Sequence, residues 1–373
     1  MMQNSNPSRT INTGLIGYGF GGRTFHAPVI DRVEGLALRK VVQRHGYSAL
    51  ERYADVEIVR SVEELLADEE LELVVVATPS TNHYEVVKAC LEAGKHVVVE
   101  KPFTATSAEA DALIELSEER GLLLSVFHNR RWDGDFLTLR GLLQQGTLGD
   151  IVDVEMHWHY FDPVPSHRGW REDDAPGTGI FYDLGSHFID QALCLFGLPD
   201  EVEGDVRVRR PGGTAVDYYD VRLHYGTGLK VRVSSSKTVR EPGPRYIVHG
   251  TRGSFVKHGL DPQEPALIKG LQPGDAGYGV EAEALWGRLS CVKDGLQFSG
   301  HVATLPGDYP AYYRNVHAAL TAGAELAVTA REARDVVRVI EAAMRSSAGG
   351  GGRVPLAPAG AKLGAGEEVS SQK

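Results

Sequence analysis

The sequence predicts an α/β protein in two parts: an N-terminal doubly wound parallel sheet, then a C-terminal α+β region on a large, mostly antiparallel open sheet. Three observations carry this. Short β-branched runs alternate with helix-like stretches over residues 11–127. Two of those runs, Leu71–Ala77 and His96–Glu100, are continuously apolar, as strands covered by helices on both faces must be. Beyond residue 130 the texture changes to strict alternation between Gly/Pro turns, which marks strands with one solvated face. The 373 residues are what two domains of ordinary size need.

In the first part the strands are Ile11–Ile16, Leu36–Val42, Leu71–Ala77, His96–Glu100 and Leu122–Phe127. Helical patterns fall at Arg23–Arg32, Ser61–Asp68, Asn82–Ala93 and Ser107–Arg120. Gly94 and Gly121 follow the last two, where a left-handed glycine closes a helix. Pro28 argues against a straight, continuous first helix. Strands linked through helices imply right-handed crossovers and hence the doubly wound sheet. In the second part Ile151–Tyr160 sets Val152, Val154, Met156, Trp158 and Tyr160 on one face, with Asp153, Glu155, His157 and His159 on the other. Val202–Val208, Asp217–His224, Leu229–Ser234 and Tyr246–Gly250 continue as strands, most of them joined by turns without helices. Helices follow at Tyr309–Ala322 and Ala330–Ser346, the second opened by a Thr329-x-x-Glu332 capping box. Arg353–Leu356 adds a strand, and the Gly/Pro/Ala-rich remainder reads as a loose tail. The expected division is therefore 1–130, 131–356 and a tail over 357–373.

Composition narrows the function classes. A hydrophobic share of 42% and a charged share of 24% belong to a globular chain, not a disordered one. A formal charge of −11 repels a phosphate backbone, so nucleic acid is not the expected main partner. No apolar run approaches a membrane span, and the start MMQNSNPSRT lacks the apolar stretch of a signal peptide. Cys90, Cys194 and Cys291 are far apart with no C-x-x-C, which argues against a disulfide framework or thiolate zinc. A cytoplasmic location is expected.

In an open α/β sheet, ligands sit beyond the carboxyl ends of the strands. Those ends are followed here by GYGFGG, QRHG, TPSTNH, KPF and HNRRW, a rim of glycine and polar groups. The first is Gly17-Tyr18-Gly19-Phe20-Gly21-Gly22, a G-x-G-x-x-G between a strand and a helix. Gly17 permits the tight turn, Gly19 admits a pyrophosphate to the backbone, and Gly22 allows close helix packing. In this context the pattern predicts dinucleotide binding. The second strand end selects the dinucleotide. An acid there would hold a ribose 2′-hydroxyl, but Gln43-Arg44-His45 has none, and Arg44 suits a 2′-phosphate. NADP is therefore preferred over NAD.

Three further residues carry possible chemistry. In Glu100-Lys101-Pro102 the proline stops the strand and leaves Lys101 at the carboxyl edge, either to stabilise charge on a reacting oxygen or as a solvated lysine. Asp183, His187 and Asp190 form a stripe at i, i+4, i+7 of a helix entered through GTGIFYDLGSH. Asp183 is thus expected to bond the His187 ring, fixing its tautomer and raising its basicity, so that His187 serves as proton acceptor from an alcohol. The alternative is an ordinary polar helix face. His157-x-His159 with His167 shows no third ligand at a recognisable spacing, so no metal is predicted.

These segments in this order resemble the Gfo/Idh/MocA oxidoreductase family: GLIGYGFGG, then VVVATPSTNHYE with Thr78, Pro79, Asn82 and His83, then AGKHVVVEKPF, GTGIFYDLGSHFIDQALCLFG and AVTAREARDVVRVIEAAMRSSAGG. The resemblance covers about residues 11–356. It implies a Rossmann domain that binds the cofactor through Gly17, Tyr18, Gly19, Phe20, Gly22, Arg44, Thr78, Pro79, Asn82, His83, Glu100 and Lys101. It also implies Lys101, Asp183 and His187 as catalytic lysine, aspartate and histidine. GYGFGGRTFHAPVI, LLLSVFHNRRWDGDFLTLR, WREDDAPGTGIFYDLGSH and GPRYIVHG resemble the NADP-dependent scyllo-inositol dehydrogenase branch. That closer likeness implies a cyclic polyol as substrate, with Asn129, Trp170 and Arg171 around it beside the catalytic three. HWHYFDPVPSHRG departs most from the branch and bears on the substrate. The rivals are the same chemistry on another sugar or a dihydrodiol, and an NADP-sensing regulator without turnover. The open sheet face implies a homo-oligomer.

Overall fold

A computed structural model describes residues 9–166 and 169–356 of the chain. The expected tail over 357–373 and His167 of the histidine group lie outside the described residues. Among the described residues, two sheets organise the fold. The first comprises β1 (Ile11–Ile16), β2 (Leu36–Val42), β3 (Glu57–Val59), β4 (Leu73–Val76), β5 (His96–Val99) and β6 (Leu124–Val126). Its spatial order is β3-β2-β1-β4-β5-β6 with every pair parallel, so the order reverses between β1 and β4. All four residues of β4 are buried, as its unbroken apolar run requires. Strand β3 is absent from the sequence reading because three residues carry no period.

Helices cover the sheet: α1 (Ala27–Ile30), α2 (Val62–Leu66), α3 (His83–Glu92) and α4 (Ser107–Glu119). A π-helical turn, Gly22–His26, runs directly into α1. Pro28 stands in the first turn of α1, immediately after the π-helical turn, and the chain stays helical through it. A Thr106/Glu109 capping box opens α4.

Next comes α5 (Gly134–Gln144), a helix the sequence reading omits, which buries Phe136, Leu139 and Leu142. The second sheet holds β7 (Ile151–His159), β8 (Glu201–Arg207), β9 (Tyr218–His224), β10 (Lys230–Ser236), β11 (Tyr246–Gly250), β12 (Gly253–Lys257), β13 (Gly287–Lys293), β14 (Leu296–Val302) and β15 (Val354–Pro355). The order is β14-β13-β12-β11-β7-β10-β9-β8-β15, antiparallel throughout except for the parallel β7/β10 pair. The sequence reading lacks β12 to β14; β14 is an edge strand exposed along nearly its whole length, so it has no buried face to set a period.

The inner face of this sheet buries Val154, Met156, Val221, Val231 and Val233. Against it pack α6 (Ser186–Phe196) and α9 (Ala330–Ala348), while α7 (Gln263–Ile268) and α8 (Pro310–Ala322) lie nearer the first sheet. The outer face carries polar ladders, with Arg232 on β10 bonded to Asp220 on β9 at 2.6 Å and to Glu155 on β7 at 3.4 Å. Helix α9 joins the two cores: Ala333 and Val337 pack in the first, Val336, Val339 and Ile340 in the second. No helix among the described residues is long and apolar enough to cross a membrane.

Candidate active site

The carboxyl ends of β1, β2, β4 and β5 open into a cavity of about 890 Å³ that continues to the entry of α6. Gly17, after β1, has φ +102°, and a Cβ there would stand 2.6 Å from the Ala77 carbonyl oxygen. At Gly22 a Cβ would fall 1.9 Å from the Gly17 carbonyl oxygen, so the helix seats directly on the turn. A Cβ on Gly19 would meet nothing within 4 Å. Gly17, Tyr18, Gly19 and Phe20 line the cavity; Gly22 lies behind it. A tight glycine turn with its backbone open at Gly19, leading into a helix, is the form that accepts a pyrophosphate. The residues present thus fit a dinucleotide.

At one end of the cavity are Gln43, Arg44 and His45, which follow β2, with Arg44 exposed. Beside them stands Arg60, a cation the sequence reading missed because it follows the missed strand β3. Its guanidinium Nη1 donates to the carbonyls of Gln43 at 2.7 Å and Gly46 at 2.8 Å, and it lies 4.4 Å from the Tyr47 ring centroid. Two arginines and no acid therefore edge this end.

Between the ends lie Thr78, Pro79 and Asn82, which follow β4. His83 lies outside the lining: it is buried, with its ring nitrogens at 2.8 Å from the Pro102 carbonyl and 3.1 Å from the Thr78 carbonyl. It ties the loop after β5 to the loop after β4. Glu100 sits on the wall near Gly21. Its two oxygens face the His26 ring at 3.0 Å and accept the Lys101 amide at 2.9 Å, while His26 Nδ1 is 2.5 Å from the Tyr313 hydroxyl.

At the other end Lys101 Nζ donates to Asp183 Oδ1 at 2.6 Å and to the Asp183 carbonyl at 2.8 Å. Asp183 lies in a second π-helical turn, Phe181–Gly185, and His187 in the first turn of α6. Here the structure corrects the sequence reading. The Asp183 carboxylate pairs with Lys101, and among the described residues His187 Nδ1 is buried with no hydrogen-bond partner. The expectation assumed a 3.6-residue repeat, which does not hold through a π-helical turn. Nor is the imidazole made more basic: burial, then Lys101, Arg130, His128 and Arg245, hold His187 well below the ordinary histidine range. Burial pushes the Asp183 carboxyl up, but Lys101 and Arg171 outweigh it and leave the group lowered.

Asn129, Trp170 and Arg171 line this same end. Trp158 of β7, Arg130 and Glu264 of α7 complete it. Arg130 stacks 4.4 Å from the Trp158 ring centroid and donates to Glu264 at 2.5 Å. Trp158 was assigned to the apolar face of its strand, and only the sheet's position turns it toward the cavity. His157 and His159 lie outside the lining, stacked at 5.2 Å, with His157 bonded to Ser234 and Glu155. Among the described residues no three His, Cys, Asp or Glu side chains are grouped to hold a metal.

Known proteins are similar to this chain over most of its length. Residues 11–128 match the Gfo/Idh/MocA description "Oxidoreductase family, NAD-binding Rossmann fold", and residues 140–356 match its C-terminal alpha/beta domain. The scyllo-inositol 2-dehydrogenase (NADP(+)) IolW of Bacillus subtilis is 41% identical over 338 residues, covering 91% of this chain and 94% of that protein. The uncharacterized oxidoreductase YdgJ of Escherichia coli is 42% identical over 342 residues, covering 91% and 97%. Among solved structures, yvaA from Bacillus subtilis aligns with a TM-score of 0.90 at 40% identity, covering 94% of this chain and 99% of that one.

Proposed function

The chain belongs to the Gfo/Idh/MocA oxidoreductase family, and on that premise we propose that it interconverts a secondary alcohol of a cyclic polyol and its ketone with NADP, scyllo-inositol being the first substrate. One observation carries the reading: Lys101, Asp183 and His187 stand on the wall of the same cavity as the glycine turn. The substrate choice rests on the likeness to the Bacillus subtilis enzyme, and the choice of NADP on Arg44 and Arg60 where an acid would select NAD. Bound NADP+ supplies the hydride acceptor. The cofactor-side residues are those of the glycine turn, Thr78, Pro79 and Asn82.

The Lys101 ammonium, held by Asp183, donates to the reacting oxygen and stabilises negative charge there. The neutral His187 imidazole accepts the hydroxyl proton in oxidation and returns it in reduction. Its low basicity favours the return. Asn129, Trp170 and Arg171 contact the polyol, together with Trp158. The domain division proposed is the cofactor half to residue 130 and the substrate half from 131 to 356, which self-associates through its open sheet. Cys90, Cys194 and Cys291 are free, which suits a reducing, cytoplasmic setting.

The test is nicotinamide absorbance on mixing the full chain with NADP or NAD and a panel of inositol isomers, aldoses and diols. Turnover of scyllo-inositol with NADP is expected. Turnover of another member keeps the chemistry and replaces the substrate. Silence across the panel alongside tight NADP binding replaces the enzyme with a cofactor sensor.

A further inference from the structure

Behind His187 the structure holds a group of polar atoms that the reaction above does not use. His128, which follows β6, is 1% exposed, and both of its ring nitrogens are buried without hydrogen-bond partners among the described residues. His187 Nδ1 is in the same condition. The two rings meet edge to face, with centroids 6.5 Å apart and planes at 82°. On the far side Asp190 Oδ2 is 3.9 Å from His128 Nδ1, and Arg131 clamps Asp190 through two bonds of 2.7 and 2.9 Å. Three orphaned imidazole nitrogens in one buried place are not an ordinary core. An unmet buried polar group is destabilising, and buried polar groups that lack a protein partner are generally served by ordered water.

The spacing excludes a direct bond. With the centroids 6.5 Å apart and ring nitrogens about 1.2 Å from each centroid, no two nitrogens across this pair come closer than about 4.1 Å, too far for a direct bond, so a bridging oxygen is what can join them. We propose that His128 is the positioning residue for His187: Asp190, His128 and one internal water form a relay that holds the proton on His187 Nδ1 and keeps Nε2 bare toward the cavity. The donors and acceptors run in one direction. The Asp190 carboxylate, 3.9 Å away, favours the proton on His128 Nδ1 through its charge, so His128 Nε2 accepts from the water. The water oxygen accepts from His187 Nδ1–H. The relay thus takes the place of the Asp183 contact expected from the sequence, since Asp183 is committed to Lys101. The ring is further steadied by Trp158, stacked at 6.5 Å and 28°.

This inference rests on the dehydrogenase reading for its consequence, though the tautomer itself is observable without turnover. The charged and titratable groups whose fields reach His187 are Lys101, Arg130, His128 and Arg245; those whose fields reach His128 are Asp190, Arg131, Lys101 and Glu100. The experiment is imidazole ¹⁵N NMR on the full chain labelled at histidine, with the His187 signals assigned by their loss in His187→Gln. The wild type is expected to show a single neutral tautomer protonated at Nδ1. In His128→Phe that signature is expected to give way to a mixture of tautomers. His128→Gln, which keeps a polar group, is expected to restore it in part, and it serves where the phenylalanine variant does not fold. With whichever substrate the absorbance panel turns over, His128→Phe lowers kcat by roughly tenfold or more with KM little changed, the size of one lost buried hydrogen bond. A His187 spectrum unchanged in both His128 variants, or a wild type protonated at Nε2, overturns the relay and leaves the dehydrogenase reading standing. An intact tautomer shift in a chain that turns over nothing does the reverse.

Discussion

At the scale of single residues, His187 is an imidazole kept neutral rather than made basic. Burial first, then the charges of Lys101, Arg130, His128 and Arg245, disfavour its protonated form. His187→Ala should lower turnover by roughly 10²–10⁴, the usual worth of a positioned acid–base group, with NADP affinity by titration unchanged. Turnover within a factor of two of wild type removes it from the role. Arg44 and Arg60 make a different prediction. If both meet the 2′-phosphate, replacing either by alanine weakens NADP by about tenfold or more while leaving NAD nearly unaffected. Equal losses for both cofactors assign these arginines to loop structure, which Arg60's bonds to Gln43 and Gly46 would then explain. Arg44 was legible as a candidate because it stands two residues past the end of a strong strand. Arg60 was not, since it follows a strand of three residues.

At the scale of elements, both helices that enter the cavity begin with a π-helical turn: Gly22–His26 before α1 and Phe181–Gly185 before α6. Such turns widen the backbone, and functional sites use them often. They are invisible to a 3.6-residue pattern, which is why the stripe through Asp183 and His187 was read correctly as one helix but wrongly as one hydrogen bond. Capping signals transfer better, because they depend on neighbours four residues apart at most. The Thr329/Glu332 box is formed at the start of α9, with the Thr329 side chain accepting from the Glu332 amide. Since α9 packs into both cores, Thr329→Ala should cost about 1 kcal/mol, read as a lower denaturation midpoint with an unchanged slope. No change in midpoint would show that packing alone holds the helix start.

At the scale of the whole molecule, buried histidines govern the acid side of stability. Burial lowers His83, His128 and His187, and burial with His157 and Arg232 brings the half-buried His159 down to about 4. Their unfolded value is about 6.5, so each contributes stability that is full above that pH and is lost as pH falls toward the folded value. Asp261 acts in the opposite sense: burial, then Asp135, raises it to about 6, so its contribution is lost as pH rises from about 4 through 6. Burial also lowers His96 and His157 and raises the Asp133 carboxyl, so six histidines against two carboxyls predict a lower thermal midpoint at pH 5 than at pH 7. His159→Gln should flatten that slope, and an equal slope in the variant discards His159 as a contributor.

Two classes of information separate along the chain. Periodicity, turn glycines and strand-end composition are local, so the sequence alone was enough for the doubly wound half, its glycine turn and the rim that carries Lys101. The family's ordered motifs extended this to Asp183 and His187. Which side chains then touch is set by contacts between residues far apart in the chain. Lys101 reaches Asp183 across 82 positions, Arg130 reaches Glu264 across 134, and His128 comes edge-on to His187 only because the helix entering α6 docks beside the end of β6. Such pairings depend on how two sheets and a shared helix pack, and no short-range pattern carries them. Tertiary structure therefore decided which side chains Lys101, Asp183 and His187 meet in the cavity.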